Sequence, residues 1–116
     1  MINWFLKKYL PRHKIKIKVI RKSLNNLGEL YIMDNNFRPR DFMIYIEKNL
    51  NSEEYRLTLF HELWHIKQYV TGELKMRRNK IYHNNIDVTD EPDDETEHEE
   101  EAVRMEEVLL KQYLHS

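Results

Sequence analysis

The chain has 116 residues, enough for one small domain with a single core. It contains no cysteine, which excludes disulfides, a thiolate nucleophile and cysteine-ligated zinc, so any metal would be bound by His, Asp or Glu. The formal net charge is −1, but residues 7–22 are rich in Lys and Arg, whereas twelve acidic residues lie between Asp87 and Glu107.

These features limit the class of protein. No segment approaches the roughly 20 apolar residues of a membrane span. The apolar run at the N-terminus is too short for a signal peptide and has no small-residue cleavage site. We therefore expect a cytoplasmic monomer without membrane contact. Without a nucleic-acid-binding motif, the basic segment is interpreted as a solvated face, and a nucleic-acid partner is not expected.

The first half of the chain predicts a helix followed by strands. Residues 2–10 form a short helical pattern that ends before Pro11. "KIKIKVI" alternates between apolar residues and lysine, as a half-buried strand does. "ELYIM" and "FMIYIEK" are rich in β-branched and aromatic residues and flank a turn that contains Asn, Asp and Pro. Residues 14–48 thus predict a small antiparallel sheet of three to four strands, with a mixed sheet as the alternative.

The second half predicts two principal helices. Asn51 and Glu54 form a capping box ahead of the first helix, and Gly72 suits its C-terminal end. "KIYHNNIDV" predicts a short hairpin or an irregular extended piece with Asn84 and Asn85 in its turn. The pattern is helical again from about residue 95 to residue 114. The predicted fold class is α+β, with one sheet packed against these two helices in a single domain, residues 1–116.

The first of these helices contains the sequence "HELWH". His61 and His65 are about 40° apart around a helix axis and roughly one turn apart along it, so both imidazoles can reach one ion. Glu62 is offset by about 100°, where it would miss the ion but could contact a water bound to it. The motif lies among apolar residues, where charged side chains normally need partners. The spacing therefore predicts a zinc site with His61 and His65 as ligands.

A catalytic zinc site needs a third protein ligand and an open position for water. The predicted C-terminal helix has an apolar stripe that consists of Ala102, Val103, Leu109, Leu110 and Tyr113. Glu99 falls on this stripe about one turn earlier and is the predicted third ligand, with Glu95 and His98 as alternatives. Glu106 also projects inward, where it could accept a hydrogen bond from a ligand imidazole.

"TLFHELWHIKQYVTGEL" followed by "EHEEEA" resembles the small single-domain gluzincin metallopeptidases, which include SprT-like and minigluzincin proteins and short phage-encoded proteins. The matching positions are Thr58, Leu59, His61, Glu62, His65 and Gln68 in the first motif and Glu99, Glu101 and Ala102 in the second. The resemblance covers roughly residues 40–110. It implies a zincin-like fold, zinc held by His61, His65 and Glu99, and hydrolysis of peptide or protein substrates with Glu62 as general base.

Several roles remain open on the sequence alone. Tyr82, His83 and His98 are alternatives for a second donor to the developing oxyanion. The strand "FMIYIEK", just before the zinc helix, is predicted to be an edge strand that aligns an extended substrate. Gln68 could bond the backbone near the site. A zinc-binding regulatory or interaction protein without turnover is the alternative to a peptidase.

Overall fold

The computed structural model describes residues 1–34, 38–77, 80–84, 86–87, 89 and 96–116. The fold is α+β, which confirms the predicted class. In chain order its elements are α1 (Ile2–Tyr9), β1 (Lys16–Lys22), β2 (Gly28–Ile32), β3 (Asp41–Glu47), α2 (Ser52–Val70), β4 (Leu74–Arg77), β5 (Lys80–His83), β6 (Ile86–Asp87) and α3 (Glu97–Leu114).

The main sheet is mixed and has the strand order β1-β3-β2. β3 pairs antiparallel with β2 and parallel with β1, so that Ile44 lies between Leu30 and Val19. The sheet is therefore the mixed alternative of the prediction, with β2 and β3 antiparallel and β1 parallel to β3. The position of β3 contradicts its predicted role as an edge strand. β3 is the most apolar of the three strands and is best buried at the centre, whereas lysines suit β1 to an edge.

Local sequence signals set both ends of α2. The Asn51 side chain accepts a hydrogen bond from the Glu54 backbone at 2.8 Å, and the Glu54 carboxylate accepts one from the Asn51 backbone at 3.1 Å. The predicted capping box is thus confirmed. After the helix, Gly72 has a φ of +85°, a left-handed conformation that glycine adopts without steric cost.

The core lies between one face of the main sheet and the three helices. Alternate residues of β3, namely Phe42, Ile44 and Ile46, are fully buried against α2. From the other side, α1 contributes Phe5 and α3 contributes a stripe that includes Ala102, Leu109 and Leu110. This packing leaves the opposite face of the sheet uncovered by the helices.

A second, smaller sheet follows α2, with the antiparallel order β4-β5-β6. β5 and β6 form the hairpin that the sequence predicts, and Asn84 adopts a φ of +51° in its turn. The other predicted turn residue, Asn85, lies outside the described residues. Within the described part of the chain, none of the helices has the length and apolarity needed to cross a membrane.

Candidate metal centre

The candidate metal centre lies where α2 packs against α3. His61 and His65 project from consecutive turns of α2 towards Glu99, which is in the first turn of α3. The Thr96 side chain caps α3 by accepting a hydrogen bond from the Glu99 backbone at 3.4 Å. Because Glu99 is the third residue after this cap and bonds to it through its backbone, its position is set by the start of α3. The structure thus brings together the three predicted zinc ligands.

The ligand atoms of these three side chains converge. Nε2 of His61 lies 2.6 Å from one carboxylate oxygen of Glu99, and Nε2 of His65 lies 2.9 Å from the other. The two Nε2 atoms are 3.2 Å apart. Two nitrogens at about 2.0–2.1 Å from one tetrahedral ion would be about 3.3 Å apart, so the spacing of the two imidazoles allows both to bind one ion, whereas the two N···O distances are those of hydrogen bonds.

The other nitrogen of each imidazole is also bonded. Nδ1 of His61 is 2.7 Å from a carboxylate oxygen of Glu106, and Nδ1 of His65 is 2.7 Å from the Gln68 side-chain oxygen. When Nδ1–H donates to these oxygens, Nε2 carries the lone pair that a metal requires. This chemistry agrees with a metal site, and the contact of Glu106 confirms its predicted inward orientation.

Gln68 connects the centre to α3. Its amide nitrogen donates hydrogen bonds to the backbone oxygen of His98 at 3.1 Å and to the carboxylate of Glu101 at 3.2 Å. The indole N–H of Trp64 donates to the same oxygen of Glu101 at 2.7 Å. The predicted backbone bond of Gln68 is therefore confirmed. Glu101 thus has a structural role that the sequence did not indicate.

Hydrogen bonds within the cluster shift the pKa values of His61 and Glu99 in opposite directions. Burial by itself lowers the pKa of His61, but its hydrogen bonds to Glu106 and Glu99 outweigh burial and raise that pKa to about 10. Burial by itself raises the pKa of Glu99, but hydrogen bonds from His61 and His65 lower it overall. Without a metal, a proton on His61 thus balances the neighbouring carboxylates.

Glu62 faces the same space without joining the cluster of ligand atoms. Its side chain is buried, and burial raises the pKa of its carboxyl group. The charges of His65 and His61 lower this pKa, whereas those of Glu99 and Glu106 add to the increase. A carboxylate with a raised pKa is a better proton acceptor at neutral pH than an exposed one.

The centre opens into a groove of about 900 Å³. One wall consists of residues 26–32, which cover β2 and the two residues before it. The other walls come from α2, β4 and α3 and consist of Thr58, His61, Glu62, His65, Tyr69, Leu74, His98, Glu99, Val103 and Glu106. The contribution of β2 could not be predicted from the sequence, because its position at the edge depends on strand order.

The groove separates the residues that the sequence left as alternatives. His98 lines it, with its ring centre 5.9 Å from that of His65. His83 is 5% exposed, lies 3.4 Å from the Glu73 carboxylate and does not line the groove. The side chain of Tyr82 and all of Glu95 lie outside the described residues.

One position of the predicted apolar stripe is wrong. Val103 is 53% exposed and lines the groove, whereas its neighbour Ala102 is fully buried. The face of α3 that packs against α2 is thus centred on Ala102 and Leu109. Val103 lies beside this face, at the opening of the groove. Glu100, Glu107 and Lys111 of α3 are exposed.

Comparisons with protein-family models, with curated proteins and with solved structures found no match. The resemblance to gluzincin metallopeptidases thus depends on the two short motifs. Among the described residues, the only group of at least three His, Cys, Asp or Glu side chains with converging ligand atoms is His61, His65 and Glu99, whose atoms lie within 4.8 Å of one another.

Proposed function

We propose that the protein is a zinc-dependent peptidase. His61, His65 and Glu99 would hold the zinc ion, and Glu62 would act as general base in the hydrolysis of a peptide bond. The observation that carries the proposal is the convergence of three ligand atoms within 4.8 Å, beside a buried glutamate in the same groove. Two histidines and one carboxylate form a donor set that catalytic zinc sites use.

When bound, zinc would supply Lewis acidity, which lowers the pKa of a coordinated water and polarises a carbonyl group. Glu62 would accept a proton from the attacking water at its carboxylate and then donate it to the amine that leaves. Burial of Glu62 supports this role because it makes the carboxylate more basic. His98 would donate a hydrogen bond to the carbonyl oxygen as negative charge develops there.

β2 takes the substrate-aligning role that the sequence assigned to β3. It lies at the edge of the main sheet and forms a wall of the groove. An extended peptide could add to this edge as a further strand, with its backbone bonded to that of β2. The peptide would then run past Glu62, since Gly28 of β2 lies next to Glu62 and Thr58.

Substitution of Glu62 by glutamine tests the proposed function. The zinc-loaded Glu62→Gln variant should bind zinc as the wild type does but should hydrolyse unstructured peptides about 10²–10⁴-fold more slowly. Glu53→Gln, which changes an exposed glutamate of the same helix, is the matched control and should keep full activity. Zinc content and peptide cleavage are measured on the same samples. If the zinc-loaded wild type cleaves no peptide, a zinc-binding protein without turnover replaces the peptidase.

The same assay tests His98. His98→Gln should lower kcat about 100-fold, as the loss of one oxyanion donor does, while zinc content and KM stay close to those of the wild type. His115→Gln is the comparison, because this histidine is exposed and does not line the groove. Equal loss of kcat in the two variants would contradict the role of His98.

A further inference from the structure

We infer that the groove selects extended peptides in which apolar residues alternate with basic ones, and that Glu29 recognises the basic residues. This inference rests on the proposed function and concerns its substrate. The described side chains that line the groove include four glutamates and three histidines but no lysine or arginine. Glu62, Glu99 and Glu106 belong to the metal centre. Glu29 lies on β2, apart from these three glutamates, so its negative charge takes no part in the proposed metal centre.

The pairing of β2 and β3 determines which backbone groups of β2 face outward. The backbone oxygen of Leu27 accepts a hydrogen bond from Glu47, and the backbone N–H of Met33 donates one to Asp41. In an antiparallel pair such bonds recur at every second residue, so the odd-numbered residues of β2 bond to β3. Leu30 therefore directs its N–H and C=O to the outer edge of β2, which no strand of the described residues covers and where a peptide strand can pair with them.

The two faces of β2 differ in chemistry. Gly28 faces Thr58 and Glu62 of α2, so Leu30 and Ile32 lie on this same inner face. Glu29 and Tyr31 lie on the outer face, where the Tyr31 hydroxyl donates a hydrogen bond of 2.7 Å to the Glu29 carboxylate. The inner face is thus apolar around Leu30, and the outer face has a negative charge at its edge.

The side chains of a peptide strand added to this edge would alternate between the inner and the outer face of the sheet. Residues directly opposite each other in paired strands have their side chains on the same face. Peptide residues on the inner face would therefore meet Leu30 and the apolar groove side chains Tyr69 and Leu74. Residues on the outer face would meet Glu29, so a lysine or arginine is favoured there and an aspartate or glutamate is disfavoured.

Three peptides test this selection. In each of them leucine alternates with one other residue, which is lysine, serine or glutamate. When the leucines lie on the inner face, the other residue lies beside Glu29 on the outer face. Binding to the zinc-loaded Glu62→Gln variant is measured by fluorescence polarisation, and cleavage by the zinc-loaded wild type is measured in parallel. The lysine peptide should bind about fivefold more tightly than the glutamate peptide at low salt, with a smaller difference at high salt.

A charge reversal at Glu29 gives the decisive comparison. Adding Glu29→Lys to the Glu62→Gln variant should abolish or reverse the preference for lysine over glutamate. Glu107→Lys, an equal charge change on the exposed side of α3, should leave that preference intact. The inference is overturned if the three peptides bind equally, if none binds, or if the two lysine variants alter the preference equally. Selective binding without cleavage by the wild type would contradict only the peptidase activity.

Discussion

At the residue scale, both imidazole nitrogens of His61 contact glutamate side chains of α3. Its Nε2 atom lies 2.6 Å from Glu99 and its Nδ1 atom lies 2.7 Å from Glu106, both of them on α3. The two glutamates are seven residues apart and so lie two turns apart on one side of that helix. In the proposed zinc site Glu99 is a ligand, whereas Glu106 orients the imidazole ring of His61.

This division predicts different effects for the two glutamates. Glu99→Ala removes a donor atom from the metal centre, so zinc affinity should fall below that needed to retain the ion during dialysis. Glu106→Gln keeps an oxygen that can accept the Nδ1–H bond but removes its charge, so zinc affinity should fall by about 10–100-fold. Competition with a chromophoric chelator measures both affinities.

Glu107→Ala is the control for these variants, because this residue is exposed on α3 and contributes nothing to the groove. It should bind zinc as the wild type does. Full zinc affinity in Glu99→Ala would contradict the ligand assignment. A Glu106→Gln variant that loses as much affinity as Glu99→Ala would show that Glu106 is itself a ligand.

Residue spacing predicted much of this centre. His61, Glu62 and His65 lie on one helix, so helical geometry alone fixes their relative positions. Glu99 followed from the period of a second helix. The sequence could not indicate Glu29, because its relation to the groove depends on which strand pairs with β3. The contacts of Glu101 could not be predicted from the sequence either, since they depend on the rotation of α3 relative to Trp64 and Gln68 of α2.

At the element scale, Gly28 determines how closely β2 approaches α2. A Cβ atom at this position would lie 2.8 Å from the Thr58 methyl carbon and 3.4 Å from a Glu62 carboxylate oxygen. Gly28→Ala should therefore displace β2 or α2 and destabilise the protein by about 1–3 kcal/mol. Because β2 also forms a wall of the groove, peptide binding should weaken as well. Chemical denaturation measures the free energy of unfolding.

Gly72→Ala separates this packing effect from backbone strain. Gly72 has a φ of +85°, but a Cβ atom there would meet only a lysine side-chain carbon at 3.7 Å. The variant should lose about 1 kcal/mol through its left-handed backbone and bind peptides normally. If Gly28→Ala is as stable as the wild type and binds peptides equally well, the close contact of β2 with α2 is not required.

The strand order explains why elements were easier to predict than their arrangement. Alternation and composition predicted β1, β2 and β3 individually, because each pattern is local to its strand. The parallel pairing of β1 with β3 joins residues about 25 positions apart, and no turn sequence specifies it. The central position of β3 follows from comparing the three strands, since its alternate residues are fully buried.

At the scale of the whole molecule, the candidate metal centre lies at the contact between α2 and α3. Its proposed ligands come from both helices, and Gln68 and Trp64 of α2 donate hydrogen bonds to Glu101 of α3. Apolar contacts around Leu63, Ala102 and Leu109 pack the same interface independently of a metal. The protein should therefore stay folded when the metal is removed, but with a smaller free energy of unfolding.

The loss of stability on metal removal should depend on pH through His61. In the metal-free protein the pKa of His61 is raised to about 10 from an ordinary value of 6.5. A raised pKa contributes stability that is fully present below pH 6.5 and is lost as the pH rises towards 10. A bound ion replaces that proton and removes this dependence.

Thermal unfolding at pH 6, 7.5 and 9, with EDTA or with zinc, should therefore show a difference in Tm that grows with pH. Zinc at a thousandfold excess over its Kd would add about 4 kcal/mol to the free energy of unfolding. The variant His61→Gln should show neither the zinc effect nor this pH dependence, and a zinc effect that shrinks from pH 6 to pH 9 would contradict the exchange of a proton for the metal.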